Sequence, residues 1–156
     1  MFRVGIGQDS HKLKEGGVLV LGGVEVSQEL HLEADSEGDV IIHSLCNALS
    51  TAIGGGSLDT WAGEMFKEGI TDSREFLKVI LKRVKDKGYK IGNASVAVEA
   101  GKPKLESFRE KMQKTLAKLL EVKADQIGIS FSSGENLTAF GRGEGIQVFS
   151  VVLIEK

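Results

Sequence analysis

The chain is poor in several residue types, and each scarcity narrows what the protein can be. It has 156 residues and a single cysteine, Cys46, so no disulfide can form within it. A lone thiol is typical of a reducing compartment, and free cysteine is usually a small buried apolar residue rather than a nucleophile. With one proline and no low-complexity segment, a proline-rich linker is also excluded.

Long apolar runs and an excess of positive charge are missing as well. No run approaches the ~20 apolar residues that a membrane span needs. Only Arg3 precedes the first short apolar stretch, so we expect no signal peptide and a cytoplasmic location. The net charge of -2 argues against a nucleic-acid partner, which favours a basic surface. These features predict a globular protein that has neither a membrane span nor a nucleic-acid partner.

The chain contains enough hydrophobic residues to form the core of one domain. Hydrophobic residues make up 41% of the sequence, which is ordinary for a packed core, and the length predicts a single domain over 1–156. Many of the 20 glycines occur in clusters, as at Gly16-Gly17, Gly22-Gly23 and Gly54-Gly55-Gly56. Such clusters predict tight turns or close backbone approaches.

Hydrophobic periodicity predicts a mixture of helices and strands. Alternating β-forming residues predict strands at 2–6, 18–21, 24–26, 90–100, 127–133 and 146–154, with a glycine turn between the second and third. Helical spacing predicts helices from 38 or 39 to 53, from 72 to 87, and from about 104 onward. Stretches 28–36 and 55–71 are expected to be irregular. A sheet packed under helices, in the α+β class, is the expected architecture.

Two short motifs supply the ligand set of an open zinc site. Asp9 and His11 are two residues apart on an extended segment, so their side chains point to the same side. His43 lies on the first predicted helix and would complete a set of two imidazoles and one carboxylate. The same residues could instead be a surface ion pair and a hydrogen-bonded core histidine, and the spacing alone leaves both interpretations open.

The residues at the start of that helix have more than one possible role. Backbone N–H groups after Ser36-Glu37-Gly38-Asp39 could hold a phosphate, or these residues could simply cap the helix. Asp39 lies one turn before His43 and is a candidate to orient its imidazole.

Arg142 and Glu144 lie between glycines near the end of the chain. They could form an exposed turn, or they could be charged residues that line a symmetry axis.

Short motifs follow one another along nearly the whole chain. They are Gly-x-Asp-x-His at 7–11, Ser-Glu-Gly-Asp-Val-x-x-His at 36–43, Asp72-Ser73-Arg74-Glu75, Gly88-Tyr89 with Asn93, Pro103-Lys104, Glu135 and Gly-Arg-Gly-Glu-Gly-Ile at 141–146. In this combination and order they resemble the family of 2-C-methyl-D-erythritol 2,4-cyclodiphosphate synthases of the non-mevalonate isoprenoid pathway.

The resemblance implies a homotrimer with active sites between neighbouring subunits, each subunit having a mixed four-stranded sheet under helices. The implied reaction cyclises a cytidine diphosphate derivative of methylerythritol 2-phosphate and releases CMP. Asp9, His11 and His43 would hold Zn²⁺, and Glu135 would bind a second divalent ion, Mg²⁺ or Mn²⁺. The nucleotide pocket would comprise Ala100, Gly101, Lys102, Pro103, Lys104, Leu105 and Glu106.

Other implied contacts involve the phosphates and the polyol. The residues at the matching positions are Asp35, Ser36, Ser57, Asp59, Ser132 and Ser133. Arg142 and Glu144 would line an axial cavity that can take an isoprenoid diphosphate. The sequence departs from the family pattern most clearly where Asp35 replaces a histidine and where Asn47 and Ser57 replace aspartates. Milder departures are Glu37, in place of an aspartate, and Phe140, one position later than the usual phenylalanine.

These departures motivate two alternatives to a cyclase. One is a divergent member that binds a nucleotide or another phosphorylated ligand with little or no cyclase activity. The other is a non-enzymatic trimeric module built around the axial cavity. The departures gather around the polyol and second phosphate, whereas the zinc ligands and the nucleotide side match the family.

Overall fold

A mixed β-sheet covered on one face by helices organises the computed structural model, which describes all 156 residues. The strands are β1 (Phe2–Glu15), β2 (Leu19–Leu21), β3 (Val24–Ser27), β4 (Leu30–Leu32), β5 (Lys90–Glu99), β6 (Ile127–Ser132) and β7 (Gly145–Glu155). The helices are α1 (Val40–Ala52), α2 (Leu58–Lys67), α3 (Ser73–Asp86) and α4 (Arg109–Leu120). Short 3₁₀ turns occur at Glu106–Phe108, Ala124–Gln126 and Gly134–Asn136. None of the four helices is long and apolar enough to cross a membrane.

The main sheet has the strand order β4-β1-β7-β5-β6. β5 and β6 run parallel and the other neighbours are antiparallel, while β2 and β3 form a separate hairpin around Gly22-Gly23. The expected mixed sheet packed against helices is confirmed. The expected count of four strands is wrong, because the short β4 pairs with the far end of β1 and adds a fifth.

β4 lies in a stretch that the sequence predicted to be a loop. Its three residues are too few to show an alternating pattern. They become a strand because β1 continues well beyond Ile6 and offers Leu13, Lys14 and Glu15 as pairing partners. Similarly, α4 begins at Arg109 rather than near 104, since the chain first makes the turn at Glu106–Phe108.

Helix α1 lies directly against β1 and is buried on nearly all sides. A side chain at Gly5 would collide with the carbonyl oxygen of Ala48, and one at Gly7 with that of Ser44. These two glycines therefore let the helix backbone cross the strand at close range, which brings the start of α1 beside the middle of β1. Cys46 is fully buried on this helix, as the sequence predicted.

Helix α2 corrects the expectation of an irregular stretch over 55–71. Gly54, Gly55 and Gly56 end the α1 segment, and Ser57 precedes the new helix as its N-cap residue. Leu58 and Ala62 are buried, and Trp61, Met65 and Phe66 pack against the core, at spacings of three and four residues. This apolar stripe spans only ten residues and is interrupted by Gly63, so its period is hard to detect in the sequence.

The sheet face opposite the helices exposes large apolar side chains. Even-numbered residues of β1 and odd-numbered residues of β7 point to this side. Those with 41–68% exposure are Phe2, Val4, Ile6, Phe149 and Val151. The five belong to two paired strands, so they form one continuous patch, defined here as the apolar sheet face. Contiguous apolar patches of this kind mark contact surfaces more often than free surface.

Candidate active site

Three predicted metal ligands meet where α1 crosses β1. Asp9 and His11 project from the helix-facing side of the strand, and His43 projects from the first turn of the helix. The Oδ2 atom of Asp9 lies 3.0 Å from Nε2 of His11 and 3.2 Å from Nδ1 of His43. The three ligand atoms all lie within 4.8 Å of one another.

This arrangement fits a tetrahedral divalent cation. With metal–ligand bonds of 2.0–2.1 Å, neighbouring ligand atoms of a tetrahedral site are separated by about 3.3 Å. The two distances from Asp9 are close to that value. A carboxylate with two imidazoles is also a donor set that zinc takes in catalytic sites, with a fourth position left for water or substrate.

The charges within the triad depend on one another. Burial by itself raises the pKa of the Asp9 carboxyl, but hydrogen bonds from His11 and His43 outweigh it, so the pKa is lowered overall. The hydrogen bond to Asp9 raises the pKa of the His11 imidazole, against the opposing effect of burial. The charge of Asp35 also raises the pKa of His11, but it contributes less than the hydrogen bond to Asp9.

The far side of the His43 ring contacts two hydroxyl groups. Its Nε2 atom lies 2.7 Å from Oγ of Ser73 and 3.2 Å from Oγ of Ser36. Ser73 is the first residue of α3 and is completely buried. Sequence reasoning treated 72–75 as a helix cap and missed this contact, although the same four residues belonged to the family-like motifs.

Asp39 does not orient His43, which corrects the expectation from its one-turn spacing. Its carboxylate accepts hydrogen bonds from the backbone N–H groups of Gly22, Gly23 and Ile42, at 2.7–3.1 Å. Full burial raises the pKa of this carboxyl to about 6, against those hydrogen bonds. Asp39 therefore caps α1 and fastens the β2–β3 hairpin to the start of the helix.

The side of the site expected to hold the polyol is open. Asp35, Ser57 and Asp59 are exposed, and Ser57 directly precedes α2. Asn47 connects this helix to strand β1, because its Nδ2 donates to the carbonyl of Gln8 at 3.1 Å and its Oδ1 accepts from the N–H of Leu58 at 2.7 Å. The start of α2 is thus held beside β1, one residue from Asp9.

The segments expected to bind the nucleotide lie together at the ends of the parallel strands β5 and β6. The N–H of Ala100 donates to the carbonyl of Ser132 at 2.9 Å, and that of Gly101 to the carbonyl of Phe140 at 2.8 Å. Thr138 hydrogen-bonds the Glu99 carboxylate. The structure therefore joins the predicted nucleotide segment 100–106 to the loops that follow β6. Leu105 is the exception, since its side chain is buried in the core.

The loop after β6 presents polar groups to solvent. Ser132, Ser133 and Glu135 are exposed. Ser133 accepts from the N–H of Glu135 at 3.3 Å, and Glu135 has a positive φ of 49°. The Glu135 carboxylate pairs with no lysine or arginine, so it is available to a cation.

Arg142 and Glu144 form an exposed pair, with Nε of Arg142 donating to the Glu144 carboxylate at 2.9 Å. Glu144 also borders a groove of about 540 Å³. The groove is lined by Ser10, His11, Lys12, Leu13, Lys14, Ala139, Phe140, Glu144 and Gly145. Within one chain, an open groove therefore lies between the predicted metal ligand His11 and the 139–145 loop.

Comparison with known proteins gives full-length similarity. The profile of the YgbB family matches residues 2–155. The chain is 39% identical to 2-C-methyl-D-erythritol 2,4-cyclodiphosphate synthase of Vibrio vulnificus over 164 residues, covering 100% of this chain and 99% of that protein. It is 37% identical to the enzyme of the same name from Chlamydia trachomatis over 158 residues, covering 99% and 88%.

Solved structures agree with the sequence relatives. A CDP-bound 2C-methyl-D-erythritol-2,4-cyclodiphosphate synthase superimposes with a TM-score of 0.90 at 31% identity, over 98% of this chain and 100% of that one. A CDP complex of IspF from Plasmodium falciparum superimposes with a TM-score of 0.86 at 28% identity, over 98% and 95%.

Proposed function

This chain belongs to the YgbB family of 2-C-methyl-D-erythritol 2,4-cyclodiphosphate synthases, and from that premise we propose how its residues carry out the reaction. The chain is a metal-dependent phosphorus–oxygen lyase of isoprenoid biosynthesis. It converts CDP-methylerythritol 2-phosphate to methylerythritol 2,4-cyclodiphosphate and CMP. An oxygen of the 2-phosphate bonds to the β-phosphorus as the bond from that phosphorus to the CMP oxygen breaks. Residues 1–156 act as one catalytic domain.

The triad of Asp9, His11 and His43 is proposed to bind Zn²⁺, and Glu135 to bind Mg²⁺ or Mn²⁺. The near-tetrahedral spacing around Asp9 supports the first assignment, and the exposed Glu135 carboxylate, which forms no ion pair, supports the second. When bound, such ions neutralise the phosphates that would otherwise repel each other and hold them in line for displacement. The reaction is intramolecular in the substrate, so the protein needs to position groups rather than supply a nucleophile.

The remaining site residues are proposed to bind and orient the substrate. Segment 100–106 forms the cytosine pocket, and the hydroxyls of Ser132 and Ser133 hydrogen-bond the nucleotide phosphates. Ser36 binds the second phosphate. Ser57 and Asp59, at the start of α2, hydrogen-bond the polyol hydroxyls. Asp35 lies next to this phosphate. Its carboxylate repels the phosphate when no cation is present, so the substrate is expected to bind there only together with the cation.

We propose a homotrimer with active sites between subunits, as the likeness to the family implies, and the apolar sheet face supports a contact between copies of the chain. The patch of five exposed apolar side chains described above is too large and continuous for an isolated surface, and a partner would cover it. In this trimer Arg142 and Glu144 line the axis, where an isoprenoid diphosphate is the candidate ligand. A cytoplasmic location is proposed from the single buried cysteine.

The full-length likeness to cyclodiphosphate synthases carries the proposal, and the non-catalytic alternative is not favoured. The test is incubation of the chain with CDP-methylerythritol 2-phosphate, Zn²⁺ and Mg²⁺, followed by ³¹P NMR. We expect CMP and a cyclic diphosphate in equal amounts. His43→Ala should lower kcat/KM by at least about 100-fold, because it removes a ligand of the cation.

Lys118→Glu serves as the control, because Lys118 is exposed on α4 and forms no ion pair. Its kcat/KM should match the wild-type value. Failure of the wild-type chain to release CMP with both metals present would contradict the function. Equal activity of His43→Ala and wild type would contradict the metal site.

A further inference from the structure

The His43 ring is held from two sides. Its Nδ1 atom faces Asp9 at 3.2 Å, and its Nε2 atom faces Ser73 Oγ at 2.7 Å and Ser36 Oγ at 3.2 Å. The ring is 7% exposed and Ser73 is 0% exposed, so water does not compete for Nε2 on the Ser73 side. Phe76 packs edge-on against the same ring, with 6.1 Å between ring centroids.

We propose that Ser73 is a positioning residue for the metal site, an inference that rests on metal binding by the proposed triad. An imidazole that gives its Nδ1 lone pair to a cation carries its one N–H at Nε2. The Ser73 hydroxyl oxygen accepts that N–H. It thereby fixes the orientation of the ring and makes Nδ1 a stronger donor, as hydrogen-bond acceptors behind metal-bound histidines do.

Ser73 is better placed for this than Ser36. The backbone N–H of Ser73 donates to both oxygens of the Glu37 carboxylate, at 2.8 and 3.0 Å, and the N–H of Glu37 donates to the carbonyl of Thr71 at 3.1 Å. These bonds fix the first residue of α3 against the loop before α1. Ser36 is farther from Nε2, is only half-buried, and lies on that loop, where its hydroxyl oxygen already accepts from Gly38.

The test measures Zn²⁺ affinity by competition with a chromophoric chelator, so it does not depend on catalysis. Ser73→Ala should bind Zn²⁺ about 10- to 100-fold more weakly than wild type. Ser73→Thr keeps the hydroxyl and should restore most of the affinity. Ser150→Ala is the matched control, because it removes an equally buried hydroxyl while its partner Ser44 still donates to the carbonyl of Ile41.

Unchanged Zn²⁺ affinity in Ser73→Ala, or an equal loss in Ser150→Ala, would overturn the inference while leaving the proposed function intact. If wild type and His43→Ala both fail to bind Zn²⁺, the proposed metal site itself fails.

A second measurement needs no variant. In the Zn²⁺-loaded wild-type chain, the proton on His43 Nε2 should give a downfield, slowly exchanging NMR resonance. Its exchange at the rate of a solvent-exposed imidazole would overturn the role of Ser73.

Discussion

At the scale of single residues, the site is a set of short polar contacts around Asp9. Asp9, His11 and His43 could be predicted from the sequence, because the first two form an Asp-x-His motif on a strand and His43 lies on a predicted helix. The sequence did not predict the contact of Ser73 with His43 or the hydrogen bonds that Asp39 accepts from Gly22 and Gly23. Both depend on which backbone groups and rings the fold brings within hydrogen-bond distance across 16 to 30 residues of chain, and no local pattern encodes that.

The Asp9–His11 pair should make the stability of the metal-free chain depend on pH. The folded-state pKa of His11 is raised above its ordinary 6.5, so the pair's stabilisation is complete below that pH and is lost as pH rises through the folded value. The pKa of Asp9 is lowered from 3.8, so its ionised form persists throughout this range. In EDTA, the melting temperature of wild type minus that of His11→Gln should therefore be larger near pH 6 than near pH 9. A difference that does not vary with pH would contradict this prediction.

At the scale of elements, α2 is the helix that the sequence missed and the one most weakly held. Only Leu58 and Ala62 of its ten residues are fully buried. The indole N–H of Trp61 has no acceptor among the protein's own atoms. Segments with few buried side chains are typical of those that open locally at low cost. The other helices, and every strand except the short β4, were predictable because their patterns are longer or better capped.

Asn47 should control how firmly α2 is attached. Asn47→Ala removes the acceptor for the Leu58 N–H and the donor to the Gln8 carbonyl, at a cost of about 1–3 kcal/mol. Trp61 is the only tryptophan, and the Arg83 guanidinium lies 5.2 Å from its ring centroid. We expect red-shifted Trp61 fluorescence and stronger acrylamide quenching in Asn47→Ala.

Asn47→Asp separates the two hydrogen bonds. The carboxylate still accepts from Leu58 N–H but cannot donate to Gln8, so its spectrum should lie closer to wild type than that of Asn47→Ala. Identical emission and quenching in wild type and Asn47→Ala would show that this side chain does not hold α2.

At the scale of the whole molecule, the apolar sheet face should determine assembly. Wild type is expected to sediment at about 50 kDa, three times the 16.8 kDa chain. Ile6→Asp places a charge in the patch, where Ile6 is 59% exposed in the isolated chain, and should yield a folded monomer. Because Asp9, His11 and His43 lie in one chain, the monomer should keep its Zn²⁺ affinity while losing cyclase activity.

Lys118→Glu is the matched control for assembly as well, since it changes charge on the helical side of the molecule. It should remain trimeric. Wild type that sediments as a monomer would contradict the homotrimer, and an active Ile6→Asp monomer would contradict sites shared between subunits. The sequence could not show this patch directly, because Phe2, Val4 and Ile6 alternate as in a strand that buries them against helices. The pattern does not reveal that helix α1 covers the opposite face, where Gly5 and Gly7 lie.

The enclosure of Cys46 also makes the chain convenient for chemical labelling. Burial raises the pKa of this thiol, so the reactive thiolate is scarce and maleimide reagents cannot reach it in the folded state. A cysteine introduced at exposed Asp59 would then be the sole attachment point for a dye or spin label. Distances from that label would follow the position of α2 without replacing the native cysteine.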